Sequence, residues 1–356
     1  MLTRLLRGLR CPPVPPGNPI LEPDFQRTIC EHFCAGDSVG VERALAKHLL
    51  PDVAVTVAFD PVAVSHPMSC RWSLTRQGGS HFTFPAFQVG QLLDVVVERW
   101  LSLFDLFMAA QREPGRGGLT MISFNDLAVE PGLAFCGNAP DHILLPDFAF
   151  LQTQGYSDAR RHFARHQFRW EERSPKVFWR GSSVGQKHHS ILEMPRARLC
   201  RLAQEMGEEW GDIGLVELFH ISEADAGELR RSPLLKPKVP WKELSNFRFH
   251  IDIDGHASSY AGLFLKLLSG GLVLKVESPE RCVQWYYDRL VPGENFVSVR
   301  SDLGDLVEVV DFYRKHAQLS ERIARRGREL ALSLTYEKEF AFALSAVARA
   351  FEAGDA

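Results

Sequence analysis

Short apolar runs along the chain alternate with longer segments whose apolar residues recur every three to four positions. The short runs predict strands at residues 53–59, 82–89, 119–125, 176–180, 213–219, 247–253, 271–276 and 295–299. The periodic segments predict helices from residue 37 and at residues 91–111, 195–206, 259–268, 279–290, 302–318, 320–332 and 337–351. This alternation, most regular after residue 175, predicts an α/β protein with parallel sheets.

The expected domain organisation follows from length and from polar segments. A chain of 356 residues is long enough for two domains. The Pro-rich residues 11–17 predict an extended arm, and the polar residues 224–240 mark the best internal boundary. We therefore expect an arm at residues 1–20, a first lobe at 21–205, a second lobe at 206–335 and a C-terminal helix at 336–356 that packs back on the first lobe.

Composition narrows the class of protein. Forty-one Lys and Arg stand against 44 Asp and Glu, for a net charge of −3, and 45% of residues are hydrophobic. These values exclude a disordered chain and argue against a nucleic-acid-binding protein. No apolar run approaches the ~20 residues that span a bilayer.

Seven cysteines without CxxC spacing predict free thiols in a reducing compartment. The first ten residues are basic and apolar but lack a secretory signal pattern. We expect a cytoplasmic protein that can contact an anionic membrane peripherally.

One strand end combines an arginine with a Gly/Ser loop. The strand at 176–180 runs into Arg180, Gly181 and Ser182, and the following helix carries Arg196. Glycine lets a backbone approach a ligand closely, and loop N–H groups and a guanidinium can bind phosphate oxygens. The alternative is a tight turn in which Arg180 forms a salt bridge with a neighbour.

A second strand ends in Asp254 and Gly255, and a loop with Ser258 and Ser259 leads into an apolar helix. The helix N-terminus would point at the strand end and bind an anion. The alternative is N-capping by Ser258 or Ser259 beside a satisfied buried aspartate. Asp252 and Asp254 have the spacing of a metal-binding carboxylate pair. We expect no metal there, because Asp252 lies inside an apolar run and a hard cation needs several converging oxygens.

A third strand, at 119–125, delivers Asp126 just past its end, and Asp141 and Asp147 follow. One of these carboxylates can act as a general base on a hydroxyl group. The alternative for Asp126 is a turn former or helix cap.

Taken together, these segments resemble the CAP10-like glycosyltransferases, which include Rumi-type protein O-glucosyltransferases and bacterial lipopolysaccharide core transferases. The resemblance covers roughly residues 119–335. Its motifs are Phe-Trp-Arg-Gly-Ser at 178–182, Asp-Gly at 254–255 with Ser-Ser at 258–259, Leu-Leu-Ser-Gly-Gly at 267–271, and the segments 285–292, 299–306 and 323–328. The form of residues 262–268 is more similar to the bacterial branch.

The resemblance implies a GT-B fold, in which two Rossmann-like lobes with parallel sheets face a central cleft. The first lobe would lie on the acceptor side, and the second would bind a UDP-sugar as co-substrate, with no metal and no other cofactor. Asp126 matches the catalytic base, Ser182 and Arg196 match the diphosphate contacts, and Gly255 with Ser258 and Ser259 matches the donor loop.

The chain departs from the family at residues 260–263, where Tyr-Ala-Gly-Leu stands in place of a segment with an arginine. Arg180, Arg248 and Lys266 are the candidates to replace that arginine.

Three functional hypotheses follow. The first is an inverting transferase that moves a glucose- or xylose-class sugar from UDP to a glycan or glycolipid such as lipopolysaccharide core. The second is a catalytically silent scaffold that retains nucleotide binding. The third is a metal-dependent hydrolase that uses Asp126 with a metal at Asp252 and Asp254.

Overall fold

A computed structural model describes residues 19–48, 53–60, 62–64, 66–85, 91–113, 117–166, 168–185, 191–219 and 221–354. The first part of the chain forms α1 (Pro23–Cys34), α2 (Ser38–Ala46), β1 (Ala54–Phe59), β2 (Ser69–Leu74), β3 (Gly79–Phe84), α3 (Gln91–Ser102), α4 (Phe104–Gln111), β4 (Gly118–Ser123), β5 (Gly132–Ala134), β6 (His142–Leu144), α5 (Phe148–Gln152) and α6 (Ser157–Arg165). The second part forms β7 (Ser174–Ser182), α7 (Pro195–Met206), β8 (Gly211–Glu217), α8 (Glu223–Arg231), β9 (Phe247–Asp252), α9 (Ala261–Ser269), β10 (Leu272–Val276), β11 (Val297–Val299), α10 (Leu306–Lys315), α11 (Ala317–Ser333) and α12 (Tyr336–Gly354).

These strands form two sheets with helices packed against them, which confirms the α/β prediction. The first sheet has the order β1-β3-β2-β4-β5-β6, and the second has the order β11-β10-β9-β7-β8. All neighbours in the second sheet are parallel. The first sheet differs from the expectation in one strand, because β2 runs antiparallel to both β3 and β4.

Strand β2 was not predicted, although its burial alternates as in a strand. Cys70, Trp72 and Leu74 are buried, whereas Arg71 and Ser73 are partly exposed. The polar residues interrupt the apolar run in the sequence. The alternation of buried and partly exposed side chains becomes visible only once the strand is placed in the sheet.

Several other sequence predictions need correction. The strand expected at 82–89 ends at Phe84, and it lies between β1 and β2 rather than at an edge, because Pro85 comes after the last ladder position. Residues 86–90 lie outside the described residues. The helix expected at 91–111 is two helices separated at Leu103.

The prediction of a helix at residues 279–290 is wrong. This segment is irregular, with one short 3₁₀ turn at Tyr287–Arg289. Its Trp285 and Tyr286 are buried in the core, so the apolar pattern of this segment reflects burial and not one face of a helix.

The division between the lobes also differs from the expected one. Strand β7 pairs with β8 and β9, so the second sheet begins at Ser174 and not after residue 205. The polar boundary segment carries α8, a helix capped by the Ser222 hydroxyl. The expected arm lies almost wholly in residues 1–18, outside the described residues.

The C-terminal helix α12 packs against the first sheet. Its Phe351 ring lies 4.9 Å from Trp72 of β2, centroid to centroid. Its Glu339 accepts hydrogen bonds from Trp285 Nε1 at 2.9 Å and from Arg289 Nη1 at 2.7 Å, both from the second lobe. Helix α12 therefore ties the two lobes together.

Helix α9 lies at the centre of the molecule. All nine of its residues are buried, including its one charged residue, Lys266. Its Phe264 packs 5.7 Å from Phe150 and 4.9 Å from Tyr156 of the first lobe. Among the described residues, no helix combines the length and apolar character that crossing a membrane requires.

The buried Asp147 caps α5 beside this helix. Its Oδ1 accepts a hydrogen bond from the Phe150 N–H at 2.9 Å, and Tyr156 donates its hydroxyl to the carboxylate at 2.9 Å. Burial raises the pKa of Asp147 from 3.8 to about 6, although these hydrogen bonds partly oppose the shift.

The raised pKa of Asp147 predicts a pH-dependent loss of stability. A carboxyl group with a higher pKa in the folded state stabilises the fold below about pH 4, and this contribution is lost as the pH rises through about 6. Asp147→Asn removes the charge and keeps one carbonyl oxygen, which can accept from both the Phe150 N–H and the Tyr156 hydroxyl. We expect the variant to gain stability relative to the parent between pH 4.5 and 7, by on the order of 1–3 kcal/mol, in urea unfolding. A difference that is constant across this range would contradict the assignment.

Candidate functional site

Arg196, at the start of α7, joins the carboxyl ends of β7 and β9. Its Nη1 lies 3.3 Å from the carbonyl oxygen and from the hydroxyl of Ser182. Its Nε donates to the Asp254 carbonyl at 3.0 Å, and its Nη2 donates to the Ile253 carbonyl at 3.1 Å. These acceptors are all neutral, so the hydrogen bonds hold the guanidinium in place without neutralising its charge. Burial lowers the pKa of Arg196, with Asp254 opposing the shift.

The two predicted glycines each lie against a large side chain: Gly255 against Arg196, and Gly181 against Trp179. A Cβ at Gly255 would lie 3.0 Å from Arg196 Nη2, so the glycine lets the loop approach the guanidinium closely. A Cβ at Gly181 would lie 2.4 Å from Cζ2 of the Trp179 ring, and that ring in turn lies 5.8 Å from the Arg196 guanidinium. Packing on Trp179 therefore accounts for Gly181.

The loop after β9 is anchored by a buried ion cluster. The Asp252 carboxylate accepts from Lys266 Nζ at 2.8 Å, Lys275 Nζ at 3.3 Å and Ser259 Oγ at 2.6 Å. Burial alone would raise the pKa of Asp252, but the two ammonium groups and the hydrogen bonds lower it below its ordinary value. Lys275 also lies 3.7 Å from Asp254 Oδ1.

The serines of this loop face the protein interior. The Ser259 hydroxyl accepts from the Leu263 N–H at 3.1 Å and donates to Asp252, so it caps α9, as the alternative reading proposed. Ser258 is 5% exposed. Neither side chain points toward solvent. A ligand would therefore contact the backbone of this loop and not the serine hydroxyl groups.

A cleft opens at the carboxyl edge of the second sheet, where ligands bind in α/β sheets of this kind. Its walls come from the ends of β9, β10 and β11 and the start of α7. They are formed by Pro195, Ile253, Asp254, Gly255, His256, Ala257, Val276, Glu277, Ser278, Pro279, Glu280, Cys282 and Ser301.

Arg180 does not belong to this cleft, contrary to the sequence prediction. Its guanidinium donates to Asp212 Oδ1 at 2.7 Å, to the Asp212 carbonyl at 2.8 Å and to the Pro237 carbonyl at 3.1 Å. Successive side chains of a strand point to opposite faces, and that of Arg180 turns toward β8.

The other two candidates to replace the family's arginine are also committed elsewhere. Arg248 donates to the carbonyls of Trp170 and Glu171 at 2.8 Å each, and Lys266 is paired with Asp252 in the core. Arg196 is the guanidinium beside the cleft, because it binds the carbonyls of Ile253 and Asp254, two of the residues that line it.

Asp126 follows β4 and is held from two directions. Its Oδ1 accepts from Arg99 Nη2 of α3 at 2.6 Å, and Arg99 Nη1 also donates to the Phe124 carbonyl at 2.6 Å. The Tyr260 hydroxyl donates to the Asp126 backbone carbonyl at 2.6 Å. The Asp126 side chain is 40% exposed, whereas that of Arg99 is 4% exposed. The Asp126 carboxylate is therefore paired with a buried guanidinium and remains accessible from solvent.

The Arg99 guanidinium is itself tuned by this contact. Burial would lower the pKa of Arg99, but Asp126 and Tyr260 raise it above its ordinary value.

The other two candidate bases are excluded by position. Asp141 precedes β6, at the opposite edge of the parallel strands, and Asp147 is fully buried beneath α5.

Asp126 and the cleft meet across the lobe interface. Leu127, the residue after Asp126, packs in one small apolar cluster with Cys136, Ala257, Cys282 and Tyr260. Beside it, Gly137 and Val283 exchange two backbone hydrogen bonds of 3.1 and 2.9 Å between the lobes. The chain next to Asp126 therefore contacts Ala257 and Cys282, two residues that line the cleft of the second sheet.

Sequence reasoning missed three residues of this site. Lys275 carried a signal, because it is a charge inside an otherwise apolar strand, and such charges are buried only when paired. Arg99 carried little, because its helix also contains Asp94 and Glu98. Tyr260 carried none, since its contact depends on how the two lobes dock.

The ion cluster generates a stability prediction. Asp252→Asn leaves the buried ammonium of Lys266 without its anion and that of Lys275 with only the more distant Asp254 carboxylate. We expect it to lower the free energy of unfolding by about 3–5 kcal/mol. As a control, Glu329→Gln removes an exposed partner of Arg325 on α11 and should cost less than about 0.5 kcal/mol. Urea unfolding of both variants measures the difference. Equal, small changes would show that Asp252 does not anchor the loop.

Comparison with known proteins identifies relatives. The model of the family described as Glycosyl transferase family 90 matches residues 79–343. Protein O-glucosyltransferase 2 of Danio rerio is 26% identical over 162 residues, which cover 46% of this chain and 29% of the relative. Protein O-glucosyltransferase 1 of Rattus norvegicus is 23% identical over 169 residues, or 47% and 39% of the two chains. The match thus spans less than half the length of either relative.

Solved structures show weaker likeness. TarM shares 14% identity at a TM-score of 0.37, over 51% of this chain and 37% of that one. Anabaena Alr3699/HepE in complex with UDP-glucose shares 13% identity at a TM-score of 0.31, over 48% of each chain.

Proposed function

The chain belongs to glycosyl transferase family 90, and from this premise we propose that it transfers a sugar from a nucleotide sugar to a hydroxyl group of a saccharide acceptor. The membership confirms the resemblance to the CAP10-like glycosyltransferases. One observation carries the proposal to this site. Arg196 is hydrogen-bonded to neutral acceptors and holds the loop after β9 in the second lobe. The accessible carboxylate of Asp126 belongs to the first lobe, and its neighbour Leu127 packs with Ala257 of that loop.

The proposed donor is a UDP-sugar of the glucose or xylose class. Two relatives are named protein O-glucosyltransferases, which supports a glucose-type donor. Arg196, which is held by backbone carbonyls, and backbone N–H groups of the loop that follows Gly255 would bind the diphosphate. The cleft beyond Gly255 would take the rest of the nucleotide. Arg196 keeps its positive charge for this purpose, because its hydrogen-bond partners carry none.

The proposed reaction is a single displacement with inversion. The Asp126 carboxylate accepts the proton of the acceptor hydroxyl while that oxygen forms a bond to the anomeric carbon. The bond from this carbon to the diphosphate oxygen breaks, and Arg196 with the loop N–H groups stabilises the charge that develops on the leaving diphosphate.

The acceptor and location are extensions of the same proposal. A bacterial-type form of residues 262–268 supports lipopolysaccharide core or another glycan or glycolipid as the acceptor. Such an acceptor is consistent with a cytoplasmic protein that contacts an anionic membrane peripherally through its basic N-terminal residues.

The role of Asp126 is tested by turnover and donor binding measured together. Asp126→Asn should lower the rate of UDP release from UDP-glucose with acceptor by about 10²–10⁴-fold, while the affinity for UDP-glucose stays near that of the parent, because the base contacts the acceptor. The matched control is Asp141→Asn, at the opposite edge of the sheet, which should retain full turnover.

Loss of donor affinity together with turnover in Asp126→Asn would contradict the assignment. UDP binding by the parent without turnover on any acceptor would favour a catalytically silent scaffold. NMR of the product distinguishes a β-glycoside, expected for inversion, from retention.

The metal-dependent hydrolase makes a different prediction from the transferase. Two lysines occupy the positions around Asp252 from which a cation would be held, so we propose transfer without a metal. Turnover should persist after EDTA treatment and should not rise when Mg²⁺ or Mn²⁺ is added. Loss of turnover on chelation, restored by either metal, would reject this part of the proposal.

A further inference from the structure

Tyr260 connects the donor loop of the second lobe with the proposed base of the first lobe. It follows Ser259 directly and precedes α9. Its hydroxyl donates to the backbone carbonyl of Asp126 at 2.6 Å. The residue thus belongs to one lobe by sequence and contacts the other through its side chain.

The backbone of Tyr260 adopts a conformation that favours glycine. Its φ is 47° and its ψ is −124°. A residue with a side chain persists in such a conformation only where its surroundings compensate for the strain, and strained residues of this kind cluster at functional sites. Here the compensation comes from the ring, which lies 5.5 Å from Phe148 and 5.6 Å from the Arg99 guanidinium.

Arg99 completes the arrangement around Asp126. The same guanidinium that faces the Tyr260 ring binds the Asp126 carboxylate at 2.6 Å and the Phe124 carbonyl at 2.6 Å. Asp126 is therefore fixed at its carboxylate by the first lobe and at its backbone by the second. Removing the Tyr260 hydroxyl would release only the second of these constraints.

We propose that Tyr260 is a positioning residue that sets the location of Asp126 relative to the donor loop. The inference rests on the proposed function. In a two-lobed transferase the base and the donor come from different lobes, so the distance between acceptor oxygen and anomeric carbon depends on their register. A displacement of about 1 Å costs on the order of 10²-fold in rate, and one hydrogen bond between the loop and the base is suited to prevent it.

Tyr260→Phe tests this, because it removes the hydroxyl and keeps the ring. The matched control is Tyr286→Phe. Tyr286 is fully buried, and its hydroxyl has no hydrogen-bond partner among the described residues. We expect Tyr260→Phe to lower kcat by about 10- to 100-fold with an unchanged Kd for UDP-glucose, and Tyr286→Phe to retain the parent kcat.

A double-mutant cycle separates positioning from general packing. If Tyr260 acts through Asp126, Tyr260→Phe should add no further loss of rate in the Asp126→Asn background. An equal loss in both backgrounds, or a fall in kcat accompanied by a matching loss of UDP-glucose affinity, would overturn the inference.

A structural readout keeps the test independent of activity. In crystal structures of the parent and Tyr260→Phe, the Asp126 backbone should move relative to Gly255 in the variant. An unchanged Asp126 position overturns the inference even if the parent proves inactive. An inactive parent that binds no nucleotide sugar overturns the proposed function instead, and the parent's own assay shows this before any variant is compared.

Discussion

The buried carboxylate of Asp252 is the constraint on which the donor side of the cleft depends. It binds lysines from α9 and β10 and the serine that caps α9, so one anion fixes the end of β9, the start of the following helix and the next strand. Because a buried charge is costly unless it is fully paired, these three elements must fold together or not at all. This cluster fixes both ends of the loop at Gly255, and Arg196 connects that loop to the end of β7 through hydrogen bonds to the carbonyls of Asp254 and Ser182.

The acceptor side is organised by a second ion pair, between Arg99 and Asp126. Specific polar contacts join the two sides in addition to the apolar core that both lobes share. Tyr260, the backbone pair of Gly137 with Val283, and Glu339 of α12 each cross between the lobes. The large shared core around α9 argues for lobes that keep one register. The proposed chemistry gives a role to two charged groups, Asp126 and Arg196, and the buried ion pairs of Arg99 and Asp252 serve to place them.

The strands and helices with uninterrupted patterns were predictable from the sequence. Helix α7 begins and ends where its periodicity predicted, and each motif at a strand end lies at a strand end. The failures have physical causes. The apolar residues of 279–290 are apolar because they are buried at the lobe interface. Arg180 and Arg196 look equivalent in sequence, but strand alternation turns Arg180 to Asp212 whereas a helix start brings Arg196 to the loop. The contact of Tyr260 with Asp126 depends on docking, which no local pattern encodes.

A crystal structure of the chain with UDP bound would show where the diphosphate lies. We expect the diphosphate within hydrogen-bond distance of the Arg196 guanidinium and of backbone N–H groups in the loop that follows Gly255, with the Asp126 carboxylate on the opposite lobe. A nucleotide bound at another edge of either sheet, or a diphosphate held without Arg196, would contradict this expectation.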